Sequence, residues 1–249
     1  MCQGQSLAHV VSGGAHDPKG SGLTQAFRGV TVTSPQRLSP SQFDSIWECL
    51  LSVDAQPLRI DVPDATHHIA ALAVEKELVF RESADRRRFI SQLTATVACY
   101  GWNCRAYCLM GNHFHLIVHT PEPNLSRGMQ HLCGVYAKWF NWKYARRGHL
   151  FGRRFGSTLI VTDSHLLQAH RYVALNPVRA ELCRTPESWR WGSFRALVGL
   201  DPPPDFLDVA GVHDLFAARP AKAQSMFRKF VEAAAREAES VPPARVPGA

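Results

Sequence analysis

Two histidines separated by one residue, His113 and His115, are the side chains in this sequence best suited to bind a metal ion. They stand in the run HFHLIV, whose apolar and β-branched residues are typical of a strand. Side chains two residues apart on a strand point to the same face, so both imidazoles should project together while Phe114 points to the opposite face. Two neutral imidazoles on one strand form half of a divalent-metal site. The same pattern also occurs in strands that bind nothing.

A tyrosine and an asparagine, Tyr172 and Asn176, form a second pair with helical spacing. Residues four apart on a helix lie on one face, one turn from each other, so a phenol and a carboxamide would project together. A buried tyrosine and an asparagine that ends the helix before Pro177 would give the same pattern. The adjacent pair His67 and His68 is not expected to act together, because neighbouring residues on a strand face opposite sides.

Two of the cysteines suggest a zinc site as an alternative. Cys104 and Cys108 are expected on one face of a strand, and a two-residue turn at 111–112 would pair Cys108 with His115. A zinc site of cysteine and histidine is therefore an alternative, although zinc prefers four nitrogen or sulfur ligands and the chain has no Cys-x-x-Cys. The seven cysteines have irregular spacing, which predicts reduced thiols in a cytoplasmic protein.

The elements that must position these residues follow the order β-α-β-β-α-β-α. Strands are predicted over 67–74, 103–110, 113–119 and 158–162, and helices over 83–100, 125–145 and from about 163 to 176. Ser83 is the expected cap of the first helix, and Asp163 or Ser164 that of the third. The first six elements predict an α+β fold of the ferredoxin-like, split βαβ type: an antiparallel sheet with helices on one face.

Composition divides the 249 residues into three parts. Residues 1–56 are predicted to be a flexible leader with a short helix near 41–52, residues 57–200 the folded domain, and residues 201–249 a C-terminal helical extension and tail. A run of 18 apolar residues is absent from the sequence, which predicts no membrane-spanning helix.

The charge is concentrated in one segment. The chain has a formal net charge of +7, and the segment 138–195 alone carries +8, with tryptophan and phenylalanine between its basic residues. Such an excess is typical of a surface that binds a phosphate backbone, although a solvated basic surface would look the same.

From about 58 to 200 the sequence resembles the REP-associated tyrosine transposases, within the insertion sequence 200-like single-tyrosine HUH family. The matching stretches are LRIDVPDATHHIA, RRRFISQL, AYCLMGNHFHLIVHTPEPNLSRGMQ, GHLFGRRF, RYVALNPVRAEL and WRWGSFRALVGL. Two positions depart from the family: Gly111 replaces a common proline, and Val173-Ala174 replaces a common Ile-His.

The resemblance implies metal-dependent cleavage of single-stranded or hairpin DNA, as in relatives that process repetitive extragenic palindromes. It implies that His113, His115 and Asn176 hold Mg²⁺ or Mn²⁺. Tyr172 would then attack the scissile phosphate to give a 5′-phosphotyrosine and a free 3′-hydroxyl, and strand transfer would follow. A homodimer, with the tyrosine helix supplied in cis or in trans, is compatible with the resemblance.

The DNA would contact the basic segment. Arg146, Arg147, Arg153 and Arg154 are the predicted backbone contacts. Trp139, Trp142 and Phe151 are candidates for base stacking, with core packing the expected role of Trp139. Two alternatives remain: a DNA-binding relative that acts on repetitive palindromes without mobility, and a zinc-stabilised interaction module.

Overall fold

The computed structural model describes residues 61–152 and 155–240, with side chains up to 235. The leader, the helix predicted near 41–52, and Arg153 and Arg154 lie outside the described residues. The strands are β1 (Ala65–Leu72), β2 (Asn103–Leu109), β3 (His113–Thr120) and β4 (Gly156–Ile160). The helices are α1 (Ser83–Tyr100), α2 (Leu125–Lys143), α3 (Asp163–Arg179), α4 (Phe194–Leu197), α5 (Val209–His213) and α6 (Pro220–Ser240).

The four strands form one antiparallel sheet in the order β2-β3-β1-β4. Each crossover helix joins strands that have another strand between them, which is the predicted split βαβ arrangement. The turn at 111–112 closes the hairpin, since the Met110 amide donates to the His113 carbonyl at 2.9 Å. The register therefore pairs Cys108 with His115, as expected from a two-residue turn.

Helices α1 and α2 pack on one face of the sheet through a core of aromatic and aliphatic side chains. The Phe89 ring of α1 lies 4.6 Å from Phe114 of β3 and 5.1 Å from Tyr136 of α2. All three side chains are fully buried. Because Phe114 fills this core, the residues on either side of it in β3 must face the other side of the sheet.

The opposite face of the sheet is covered by α3. Ile117 of β3 and Ile160 of β4 form a second apolar cluster with Leu166, Ala169 and Val173 of α3. The fold thus has α1 and α2 on one face, as predicted, and places the later helix on the face that displays the histidine pair.

The chain beyond α3 runs along the outer edge of β2. The Leu109 amide donates to the Trp191 carbonyl and the Ser193 amide donates to the Tyr107 carbonyl, both at 2.9 Å. Further on, the Asp208 amide donates to the Cys104 carbonyl at 2.8 Å. Within the described residues, no helix is long and apolar enough to cross a membrane.

Cys104 and Cys108 do not share a face, so that prediction is wrong. The β2–β3 register shifts between Cys104 and Ala106, which inserts Arg105 as an extra residue. Such a bulge reverses the alternation of the residues before it. Cys104 consequently packs in the core with α1 and α2, while Cys108 packs under α3.

Candidate functional site

The histidine pair lies side by side on β3, beneath α3. The ring centroids of His113 and His115 are 5.0 Å apart, with the ring planes nearly perpendicular. His115 is buried and His113 is partly exposed. The predicted shared face of the two imidazoles is therefore present.

Helix α3 begins and ends differently from the prediction. Its N-cap is Thr162, whose side chain accepts a hydrogen bond from the His165 amide, rather than Asp163 or Ser164. The helix also continues through Pro177 to Arg179. Proline disfavours helical geometry in the preceding residue, but near a helix end it interrupts few backbone bonds. The Ala180 amide donates to the Asn176 carbonyl at 3.0 Å and completes the last turn.

Tyr172 and Asn176 face the histidine pair from this helix. The Tyr172 ring lies 5.4 Å from the His115 ring, nearly perpendicular to it. The buried Asn176 side chain is hydrogen-bonded to His113. Four of the predicted site residues are thus brought together within one chain.

A hydrogen bond sets the tautomer of His113. Its Nδ1 lies 2.7 Å from Oδ1 of Asn112. An amide oxygen can only accept, so Nδ1 carries the proton and Nε2 bears the lone pair. The Asn112 amide nitrogen, in turn, donates to the Lys76 carbonyl at 3.4 Å, which agrees with this amide orientation.

Burial keeps the site histidines neutral. It lowers the pKa of His113, with the hydrogen bond to Asn176 partly opposing this effect. It also lowers the pKa of His115 well below its usual value, assisted by the neighbouring rings of His113 and His68. Desolvation disfavours the charged imidazolium, and a neutral imidazole is the form that binds a metal.

His68 of β1 is a further member of this cluster that the sequence pattern did not predict. Its Nε2 lies 3.3 Å from Nδ1 of His115, and its ring lies 5.5 Å from Tyr172. Burial lowers its pKa to about 3. Only the pairing between strands reveals its position: the β1–β3 register places His68 opposite Ile117, on the same face as His115.

Arg179 is a second unpredicted member. Its guanidinium carbon lies 5.3 Å from the centre of the Tyr172 ring. Residues 172, 176 and 179 follow the i, i+4, i+7 spacing of one helix face. Because the predicted helix ended at Asn176, Arg179 was not recognised as part of the helix face that carries Tyr172 and Asn176.

The donor set fits a hard or borderline divalent ion. His113 and His115 supply neutral imidazole nitrogens, and the adjacent Asn176 can supply an amide oxygen. Among the described residues, no group of three or more histidine, cysteine, aspartate or glutamate side chains could hold a metal. Zinc ligation by Cys104 and Cys108 together is excluded by the bulge.

The predicted DNA-contact residues divide into three groups. Arg146 is engaged within the protein, with its guanidinium 2.6 Å from Glu77, whereas Arg147 is exposed. Trp142 is 81% exposed, while Trp139 and Phe151 are partly buried and pack against the core. Arg153 and Arg154 fall in the two-residue gap in the described chain.

The loop that follows α2 reaches the end of the sheet where the histidines lie. The Gly152 amide donates to the Leu72 carbonyl at 3.0 Å, and Leu72 is the register partner of His113. The basic segment therefore borders the candidate site.

Comparison with known families gives one match. Residues 61–176, which include all four predicted catalytic and metal-binding positions, match the family described as IS200-like transposase. The segment 61–176 is similar to the IS200-like transposases. The matched segment includes the strand with His113 and His115 and most of the helix with Tyr172 and Asn176.

A solved REP-associated tyrosine transposase, bound to a REP hairpin, has the same fold. The match has a TM-score of 0.51 and 15% sequence identity, and it covers 62% of this chain and 94% of the other. A tRNA(His) guanylyltransferase from Saccharomyces cerevisiae also aligns, with a TM-score of 0.34 and 9% identity over 77% of this chain and 85% of its own. A search of curated proteins gave no match.

Proposed function

We propose that this protein cleaves and rejoins single-stranded or hairpin DNA through a covalent link to Tyr172. The observation that supports this most directly is the position of Tyr172 against His115, with Asn176 beside His113. A nucleophile and a metal-binding set are the two parts that phosphoryl transfer of this kind requires.

Each side chain has a separate role in this proposal. His113, His115 and Asn176 would hold Mg²⁺ or Mn²⁺, which when bound would polarise the scissile phosphate. The Tyr172 hydroxyl loses its proton and its oxygen bonds to phosphorus, while the bond from phosphorus to the 3′-oxygen breaks. The 3′-oxygen takes up a proton, and the DNA remains attached through a 5′-phosphotyrosine.

Strand transfer is the same exchange in reverse. A 3′-hydroxyl attacks the phosphotyrosine, a new phosphodiester forms, and Tyr172 regains its proton. Because the covalent link retains a phosphate ester bond, the reaction needs no nucleotide cofactor. The Arg179 guanidinium, close to the Tyr172 ring, favours negative charge on the phenolic oxygen and on the phosphate.

The DNA partner is supported by charge and by the relative that was solved with a REP hairpin. The basic loop after α2 lies at the histidine end of the sheet. Arg147 and Trp142, both exposed, would contact the phosphate backbone and a base there. Arg153 and Arg154 are proposed backbone contacts on the same loop.

Detection of the covalent adduct tests the proposal. The purified protein is incubated with Mg²⁺ or Mn²⁺ and a single-stranded hairpin oligonucleotide labelled at its 3′ end. A 5′-phosphotyrosine retains that label on the protein in a denaturing gel, whereas a 5′ label leaves on the released fragment. Tyr172→Phe should bind the hairpin normally and form no adduct.

Matched variants separate the roles. Tyr100→Phe, outside the site, should form the adduct at the wild-type rate. His115→Ala should form none, and Asn176→Ala should retain some activity that rises with Mn²⁺ concentration, because water can replace one weak oxygen ligand. Hairpin binding with no adduct from the wild-type protein would instead indicate a DNA-binding relative that performs no cleavage.

A further inference from the structure

The two histidines of the β3 pair are held by their Nδ1 atoms in the same way. Nδ1 of His113 donates to the Asn112 amide oxygen, and Nδ1 of His115 lies 3.3 Å from Nε2 of His68. In His113 the opposite nitrogen, Nε2, then carries the lone pair, and the same holds for His115 when its Nδ1 is the donor to His68. Metal-binding histidines are commonly oriented by a hydrogen bond of this kind to their second nitrogen.

We propose that His68 is a positioning residue that accepts a hydrogen bond from Nδ1–H of His115 and so fixes this ring as an Nε2 metal ligand. This inference rests on the proposed metal-dependent function. The sequence pattern predicted no role for His68: it was not expected to act together with His67, and it is not among the predicted metal ligands His113, His115 and Asn176.

The fold keeps His68 in this position. It lies in the middle of β1, which is hydrogen-bonded on both sides, to β3 and to β4. Its side chain is only 1% exposed, and its ring contacts both His115 and Tyr172. A ring enclosed on a central strand loses little further conformational freedom when its partner binds a metal, so it can hold His115 in one orientation.

The test measures Mn²⁺ binding in the absence of DNA, by electron paramagnetic resonance. His68→Met and His68→Gln are similar in size, but only glutamine offers an oxygen near the position of Nε2. His68→Met should weaken Mn²⁺ binding by about 10- to 100-fold, and His68→Gln should stay within about threefold of wild type. His67→Met, on the other face of the same strand, is the control for loss of a buried histidine and should bind Mn²⁺ normally.

A second measurement needs no variant. Two-bond ¹⁵N–¹H correlation spectra of the wild-type protein should show His115 as the Nδ1–H tautomer, with assignment from the His115→Gln spectrum. An Nε2–H tautomer in the metal-free protein would overturn the proposal, even if His68→Met does not fold.

The outcomes separate this inference from the function on which it rests. Wild-type binding of Mn²⁺ together with unchanged binding by His68→Met would overturn the role of His68 alone. Equal losses in His68→Met and His68→Gln would also overturn it, because the hydrogen bond would then not be the cause. A wild-type protein that binds no Mn²⁺ and forms no adduct would overturn the proposed function as well.

Discussion

His170, on the helix that carries Tyr172, should make the fold sensitive to acid. The residue is 1% exposed, and both of its ring nitrogens lack a hydrogen-bond partner among the described residues. Its ring contacts Phe227 of α6 edge-on, at 6.0 Å. Burial, together with the charge of Arg105, lowers the pKa of His170 to about 3.

The direction of the change in stability with pH follows from the protonation of His170 in the folded and unfolded states. An unfolded histidine has a pKa of about 6.5 and takes up a proton as the pH falls below that value, while the folded ring stays neutral. The free energy of unfolding therefore decreases as the pH falls from neutral toward the folded pKa. For this residue alone, the loss is about 1.4 kcal/mol at about pH 5.5 and about 4 kcal/mol at about pH 3, where the folded ring is itself half protonated.

His170→Leu removes this contribution. Urea denaturation followed by tryptophan fluorescence, at about pH 7.5 and about pH 5.5, gives the free energy of unfolding for each protein. The variant should lose about 1.4 kcal/mol less than wild type between the two pH values, because His68 and His115 still titrate in both proteins. Replacing unsatisfied ring nitrogens should also stabilise the variant at the higher pH by about 1 kcal/mol.

The comparison with an exposed histidine makes the result decisive. His149→Gln is the control for removing a histidine from an exposed position. Equal losses of stability in His170→Leu and in wild type would refute the reasoning, since they would mean that His170 is protonated to the same extent in the folded and unfolded states.

Other side chains give further tests. Gly128→Ala would place a Cβ 2.0 Å from the Trp102 ring, so it should lower the free energy of unfolding by about 2–3 kcal/mol. Gly134→Ala, in the same helix with open space around it, should raise it by about 0.5–1 kcal/mol in the same urea titration. Trp142→Ala should leave stability unchanged but weaken hairpin binding about fivefold in a fluorescence-anisotropy titration, and equal affinity would remove this indole from the DNA surface. Arg147→Ala should reduce the slope of log affinity against log salt by about 0.7–0.9, and an unchanged slope would contradict a phosphate contact.

The local periodicities of the sequence predicted much of the site. The two-residue spacing of His113 and His115 is enough to place both rings on one face, and the four-residue spacing of Tyr172 and Asn176 does the same on a helix. These rules need only the type of element. The structure confirms both juxtapositions and the antiparallel split βαβ order.

The site features that the sequence did not predict depend on contacts between distant segments or on local departures from regular helix and strand geometry. His68 joins His115 only through the β1–β3 register, which no local pattern specifies. Arg179 joins Tyr172 because the helix tolerates Pro177 close to its end. Cys104 and Cys108 lie on opposite faces of the sheet because one extra residue, Arg105, shifts the register of the strand.

The hydrogen bonds along the outer edge of β2 have a practical consequence for work with fragments. In the whole chain, backbone groups of Tyr107 and Leu109 on that edge are paired with residues 191–193. A fragment limited to the family-matched residues 61–176 would leave them open, next to apolar side chains that the later helices cover. Open edges of this kind pair with other copies and precipitate. Soluble expression should therefore require the residues through α6, even though the candidate site itself ends at Arg179.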